Sequence, residues 1–309
     1  ENENKEILLV CTISIRDGYI NGVVERVAYL SDMRINMKLN SARLLVNWKK
    51  CMGEILKNSS KIEEINTKYM FTAIMQDNLI ALKSLVNNPR NPFTYKLISN
   101  YSMISVIGIL KKYKGDLNVS FAKDENISEI FDFIVKYQSE KQFGFTRGFL
   151  DRALKTWTGL RVEDFVIVRK DNDIVGACCF WNPSPIKKIV ISKLPPFFKL
   201  LKFITSIFLD IPGEREEFKV QYLNFLTLKK GKGEMDILDS ILSFAKSVKQ
   251  FEKFHALSFI SFDIDVISFD KKKYLFNKTP LSLFQSVGNE NVDDLLEYNT
   301  APGLEISLV

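Results

Sequence analysis

Two segments of this 309-residue chain have the make-up of a phosphate-binding turn. The first is Arg34-Ile35-Asn36-Met37-Lys38-Leu39-Asn40-Ser41-Ala42-Arg43-Leu44-Leu45, and the second is Leu228-Lys229-Lys230-Gly231-Lys232-Gly233-Glu234-Met235. In each, a strand-like run passes through small residues into a helix-like run, with cations alongside. Such a turn leaves backbone N–H groups unpaired at the helix N-terminus, where the partial positive charge favours an anion. Other chemistries are narrowed by scarcity. His255 is the one histidine, so a His-rich metal site is excluded, no metal is expected, and any Ser-His-Asp or Cys-His mechanism would depend on that residue. Cys11, Cys51, Cys178 and Cys179 show no pairing pattern, and a disulfide between the adjacent last two would be strained. A reducing, cytoplasmic setting is the expectation.

The elements that must position these turns are legible in outline. A 46% apolar content over this length is enough for two ordinary domains or one large one and excludes disorder. The net charge of +6 comes from 43 basic and 37 acidic residues spread along the chain, which disfavours duplex nucleic acid as a partner and leaves room for an anionic ligand. No apolar run is long enough to span a membrane. Glu6 to Arg16 alternates as a strand, with hairpin signals at Asp17-Gly18 and Asn21-Gly22 before a second strand over 23–36. Leu44, Leu45, Trp48, Met52, Ile55 and Leu56 then recur at helical spacing. A strand follows at 69–75, a helix begins at Asp77-Asn78 and ends before Pro89 and Pro92, and a strand at 101–110 leads to a boundary at Lys111 to Gly115. The second half has helices near 127–138 and 146–156, a hairpin over 165–181, and then strand 220–228, turn, helix 235–249 and strand 256–261. Its last elements repeat the order of the first half. The fold class is therefore α/β, a mixed sheet in two units, 1–114 and 115–309.

The residues carrying that order resemble a known family. Tyr29-Leu30-Ser31-Asp32-Met33-Arg34-Ile35, the connection through Ser41 and Arg43, Phe71-Thr72-Ala73-Ile74, and Asp77-Asn78 with Ala81 and Leu85 are similar to the acyl-CoA-binding core of the GNAT superfamily of N-acyltransferases. Phe165 to Trp181, with Asp173-Ile174-Val175-Gly176, resembles the second and third strands of the same fold. The resemblance implies two tandem GNAT-like domains, a splayed strand pair that receives pantetheine, and an R/Q-x-x-G-x-G/A loop around the pyrophosphate. In the first unit Asn40, Ser41, Ala42 and Arg43 stand at the loop's usual Arg-Gly-x-Gly, so a glycine position carries Arg43, while Lys38 and Arg43 offer charge to phosphates. The second unit keeps Gly231 and Gly233 beside three lysines. The resemblance also implies that the first strand, two helices and second strand of the first unit either precede Glu1 or are replaced by the second unit.

By the same resemblance the expected reaction is transfer from acetyl-CoA or another acyl-CoA to a small-molecule or peptide amine acceptor, by direct attack on the thioester. The implied cofactor-binding residues are Met33, Arg34, Ile35, Lys38, Asn40, Ser41, Ala42, Arg43, Leu44 and Asn78. Glu25 and Asp32 are candidate bases, and Tyr95 is the candidate acid for the departing thiolate. Each has a structural alternative: Asp32 pairing with Arg34, Tyr95 packing its ring, Asn78 capping a helix. Two other readings stay open, a GNAT-fold binding or assembly protein without catalysis, and an aminoacyl-tRNA-dependent transferase. The apolar segment Pro195 to Leu209 is read as a seam or homodimer contact, with a membrane-surface helix as the alternative.

Overall fold

The computed structural model describes residues 7, 9–36, 41–192, 212–231, 233–263, 272–298 and 301–304. The turn residues Lys38 and Asn40 and the segment Pro195 to Leu209 lie outside these. Strands β1 (Leu9–Ile20) and β2 (Val23–Ile35) form the expected hairpin. The chain reverses at Asn21-Gly22, both at positive φ (50° and 78°), the pair that a tight hairpin turn favours. Asp17-Gly18 stays within β1. Helix α1 (Ser41–Asn58) follows and lays Trp48, Met52 and Leu56 on the sheet. Strand β3 (Tyr69–Met75) is parallel to β2. The helix expected from Asp77-Asn78 is only α2 (Leu79–Ala81) running into a π turn, Leu82–Val86.

Strand β4 (Phe93–Ile109) is longer than the expected strand, beginning directly after Pro92. Strand β5 (Asn118–Phe121), α3 (Ile127–Gln138), β6 (Gly144–Phe145), α4 (Arg147–Thr156), β7 (Phe165–Lys170) and β8 (Asp173–Trp181) open the second half. Thr146 caps α4 by accepting the Phe149 N–H at 3.2 Å. Strand β9 (Val220–Leu228), α5 (Glu234–Ser247), α6 (Gln250–Lys253) and β10 (Ala256–Phe262) then lead to β11 (Tyr274–Gly288).

The eleven strands of the described residues form one sheet, in the order β5-β7-β8-β9-β10-β4-β11-β3-β2-β1-β6. About the antiparallel pair β4 and β11, the run β10, β9, β8 on one side matches β3, β2, β1 on the other. Tyr101 of β4 faces Leu281 of β11. On the far side of each, Tyr101 faces Phe262 of β10, and Leu281 faces Met75 of β3. A pseudo-two-fold axis thus relates β1, β2 and β3 to β8, β9 and β10, and each half borrows a strand from the other. Helix α1 covers one face of the first half, and α5 covers the equivalent face of the second with Ile237, Leu238, Ile241 and Leu242. Among the described residues, only Gly18 and Tyr19 pair on the outer side of β1, with β6 of the second half.

The sheet is also tied to the segment that follows it. Gln285 of β11 is wholly buried, accepts from the Leu296 N–H (2.9 Å) and the Tyr298 hydroxyl (2.7 Å), and donates to the Asp294 carbonyl (2.9 Å). Replacing both ends of such a network is tolerated far better than deleting one. We therefore expect Gln285→Leu to cost about 1–3 kcal/mol by stranding these backbone and phenol groups. The readout is a lower urea midpoint at unchanged slope.

Candidate functional site

Parallel pairing of β2 with β3 runs from Val27 opposite Tyr69 to Leu30 opposite Thr72, and there it stops. The Thr72 hydroxyl donates to the Leu30 carbonyl at 2.8 Å at that last rung. Beyond it β2 turns away, because the β1–β2 register slips: Cys11 alone stands opposite both Asp32 and Met33. Asp32 has φ 49°, a left-handed conformation that Asp adopts more readily than most residues. The bulge and the parting strands open a cleft of about 300 Å³. It is walled by Leu30, Trp48, Met52, Ile74 and Leu85, and Cys11, Asp32, Met33, Asn78 and Tyr95 also line it.

Thus residues 63 positions apart in sequence, Asp32 and Tyr95, share one opening. The Asp32 carboxylate lies 3.5 Å from the Arg34 guanidinium, both largely exposed. An exposed pair of this kind is worth only ~0–1 kcal/mol, so an incoming group displaces it at little cost. Asn78 accepts the Ala81 N–H at 3.1 Å and so caps α2 while also lining the cleft. Burial pushes the Tyr95 phenol up to about 12; the neighbouring Ser286 hydroxyl acts the other way, and Cys11 adds to the rise. The phenol is therefore protonated throughout the neutral range. Tyr29, on the same wall, is pushed up first by burial and then by the Asp32 charge.

The remaining expected residues fall elsewhere. Glu25 is exposed near the hairpin turn, seven residues before Asp32, which along a strand is about 23 Å. It does not line the cleft. Ile35 ends β2, and Ser41 and Ala42 begin α1, so the strand-to-helix order is as expected. Arg43 is exposed and Leu44 half-buried on the first turn of α1, outside the cleft lining. His255 is structural: its Nδ1 accepts the Lys219 backbone N–H and its backbone N–H donates to the Lys219 carbonyl, both at 2.8 Å. All four cysteines are free thiols.

The two-fold places a second bulge on β9. Phe225 and Leu226 together stand opposite Cys178 of β8, and Phe225 has φ 56°. Superposing the registers pairs Tyr29-Leu30-Ser31-Asp32-Met33-Arg34-Ile35 with Tyr222-Leu223-Asn224-Phe225-Leu226-Thr227-Leu228. The shared Tyr-Leu start and the matching apolar positions are the sequence signal for the repeat, obscured because Phe stands where the first half has Asp. Here the strained conformation is held by rings: Phe225 stacks on Trp157 (5.4 Å) and Phe165 (6.1 Å) and meets Phe145 edge-on (5.7 Å). Beyond β9, Gly231 and Gly233 have φ 127° and 118°, with open space where side chains would be. The Gly231 N–H is taken by the Glu234 carboxylate at 2.8 Å. The cleft beside this turn is only about 90 Å³, and Pro302, Gly303 and Leu304 form part of its wall.

A mixed sheet whose parallel neighbours part beside a bulge, repeated about a two-fold, is the GNAT N-acyltransferase fold in tandem. Solved structures agree with it. Saccharomyces cerevisiae N-myristoyltransferase with bound myristoyl-CoA matches 93% of this chain at 10% identity, with a TM-score of 0.57. A GCN5-related N-acetyltransferase from Sphaerobacter thermophilus matches 91% at 7% identity, with a TM-score of 0.51. The match spans 68% of that N-myristoyltransferase chain, 65% of a second structure of it, and 77% of the acetyltransferase. No protein-family model matches the sequence, and no curated protein matches it.

Two outcomes are expected from this geometry. A raised phenol pKa favours the folded state below the ordinary value near 10, and that contribution is lost as pH rises from 10 to about 12. Urea midpoints should therefore fall over that window, and Tyr95→Phe should make the fall shallower, the other buried tyrosines keeping their share. Phe225→Ala should cost about 3–5 kcal/mol, as large aromatic truncations in cores do. Thermal unfolding checks it.

Proposed function

We propose that the chain is an acyl-CoA-dependent N-acyltransferase whose reaction takes place in the first-half cleft. The single observation that carries this reading is that the parting of β2 and β3 gathers Asp32, Asn78 and Tyr95 around one opening. Backbone groups beyond the last rung, where the strands part, would pair with an extended pantetheine arm. The N-terminus of α1, with Arg43 and Lys38 close to it in sequence, would hold the pyrophosphate together with Ser41, Ala42 and Asn40. Met33, Arg34, Ile35 and Leu44 would flank the arm, and Asn78 would meet its amide.

In this reading a primary amine of a small molecule or peptide attacks the thioester carbonyl. Asp32, displaced from Arg34, takes the amine proton directly or through water, and Tyr95 gives its proton to the departing thiolate. Glu25, about 23 Å away along β2, would not take part in the same step. Acetyl-CoA is the smallest donor, and the walls of Leu30, Met52, Ile74 and Leu85 also suit a longer acyl chain. The free thiols fit a cytoplasmic enzyme. No helix among the described residues is long and apolar enough to cross a membrane.

Calorimetry with acetyl-CoA and octanoyl-CoA tests the reading. Binding of at least one of them is expected, and absence of both overturns it. Asp32→Asn keeps the left-handed position and removes the charge. Thiol release with amine acceptors should then fall on the order of 10²–10⁴-fold with donor affinity retained, the usual worth of a positioned base.

A further inference from the structure

The segments that bound the first-half cleft carry charge of one sign. From Met33 to Gly53 and from Asn78 to Pro92 there are seven basic residues and no acidic one, in a chain with 43 basic and 37 acidic residues overall. The carboxylates at their borders are few. Asp32 is paired with Arg34 at 3.5 Å, Asp77 is exposed, and Glu54 stands toward the far end of α1, where Glu290 also holds Lys57 at 2.7 Å. Apolar side chains stand exposed among these cations. Leu79 and Ile80 of α2 are 71% and 83% exposed, and Val46 of α1 is 52% exposed. Arg43, Val46 and Lys50 fall on one stripe of α1, and Ile80 and Lys83 are three residues apart in α2 and the π turn. Lys49, three residues after Val46, donates to the Ser84 carbonyl at 2.6 Å and so fastens α1 to the turn that carries Lys83. The cleft mouth adjoins this face: Asn78 and Ala81, on either side of Leu79 and Ile80, line the cleft, and so do Met33 and Met75, which are also exposed.

We propose that this face docks on an anionic lipid surface, with the cleft mouth turned towards it. Charge complementarity and apolar exposure together select that partner. Arg43, Lys50 and Lys83 are exposed and meet headgroup phosphates, while Val46, Leu79 and Ile80 pass below them into the boundary of the acyl chains. A nucleic acid would use the cations and leave Leu79 and Ile80 in water. An apolar protein surface would bury those two side chains and leave the cations beside them without counter-charge, which is costly. A lipid surface with anionic headgroups meets both needs at once, and exposed apolar groups rimmed by charge are the usual mark of such a contact. Insertion is shallow, because α2 and the π turn together run only from Leu79 to Val86. Docking is therefore peripheral and reversible, and it does not depend on which donor the cleft takes.

The intact protein is sedimented with vesicles of phosphatidylcholine alone and with vesicles of an equimolar mixture of phosphatidylcholine and phosphatidylglycerol. The expected result is co-sedimentation with the mixed vesicles and little with the neutral ones. The double variant Leu79→Ser/Ile80→Ser should lower partitioning to the mixed vesicles about tenfold, the loss expected for two partly buried aliphatic side chains. Lys83→Glu should lower it by a similar factor, through a reversed charge at the headgroups. Both variants should keep the wild-type thermal midpoint, because all three side chains are exposed. Absence of co-sedimentation with the mixed vesicles overturns the proposal. So do equal binding to the two kinds of vesicle and binding that either variant leaves unchanged. A self-associated form in sedimentation equilibrium that the double variant dissolves also overturns it, and assigns the face to a second copy of this chain.

Discussion

The antiparallel pairing of β4 with β11 is the constraint on which the rest of the molecule depends. It runs the full length of β11, from Tyr274 opposite Ile109 to Gly288 opposite Phe93, and at its middle joins Asn100 to Ser282, 182 positions apart. Through it β3 gains its neighbour on one side and β10 on the other. Closing so long a loop is entropically expensive and is offset only when extensive burial accompanies it. Leu281, Leu283, Phe284 and Val287 supply that burial from β11, as Tyr101, Ile104, Val106 and Ile107 do from β4. Neither half therefore has a complete sheet without the other, which makes the clefts properties of the whole chain.

The two clefts show how one backbone device serves two ends. A bulge with a left-handed residue turns the strand away from its parallel partner in both halves. In the second half that residue is an aromatic, locked among Trp157, Phe165 and Phe145. In the first half it is an aspartate, the conformation is intrinsically more accessible to it, and the opening is bounded by apolar walls and a few polar groups. The left-handed residue lines the opening in the first half, whereas in the second half it is packed among rings. The second-half turn keeps the glycines and lysines of a phosphate cradle, but there the Glu234 carboxylate already holds the Gly231 N–H.

Much of the outline is legible in the order of residues alone. The strands at 69–75 and 220–228 match the expected ones residue for residue, since each is a short apolar run bounded by polar or glycine-containing turns. The stretch from Asp32 to Leu44 reads as strand, turn and helix from its residue types. The central strands do not declare themselves in this way. β11 contains Pro280, which argues against an interior strand when read locally, and it is tolerated because it sits within a ladder that other residues secure. β4 begins straight after Pro92, and its first residues carry too much polar character to show a strand period. Cys11 is visible in the sequence only as an unpaired thiol in a strand, and Trp48 only as one member of a helical stripe.

What the sequence determined by itself is therefore local: element types, the order strand, turn, helix, strand in each half, and turn residues of the types that suit an anionic ligand. These follow from periodicity, turn chemistry and charge, which act over a few residues. The tertiary structure decided which of those residues meet. The pairing of β4 with β11 and the meeting of Asp32 of β2 with Tyr95 of β4 in one cleft depend on contacts between segments far apart in sequence, and no local pattern encodes them. Asp32, Tyr95 and Cys11 share a cleft because the sheet closes around a two-fold, and that closure is decided by burial summed over the whole chain.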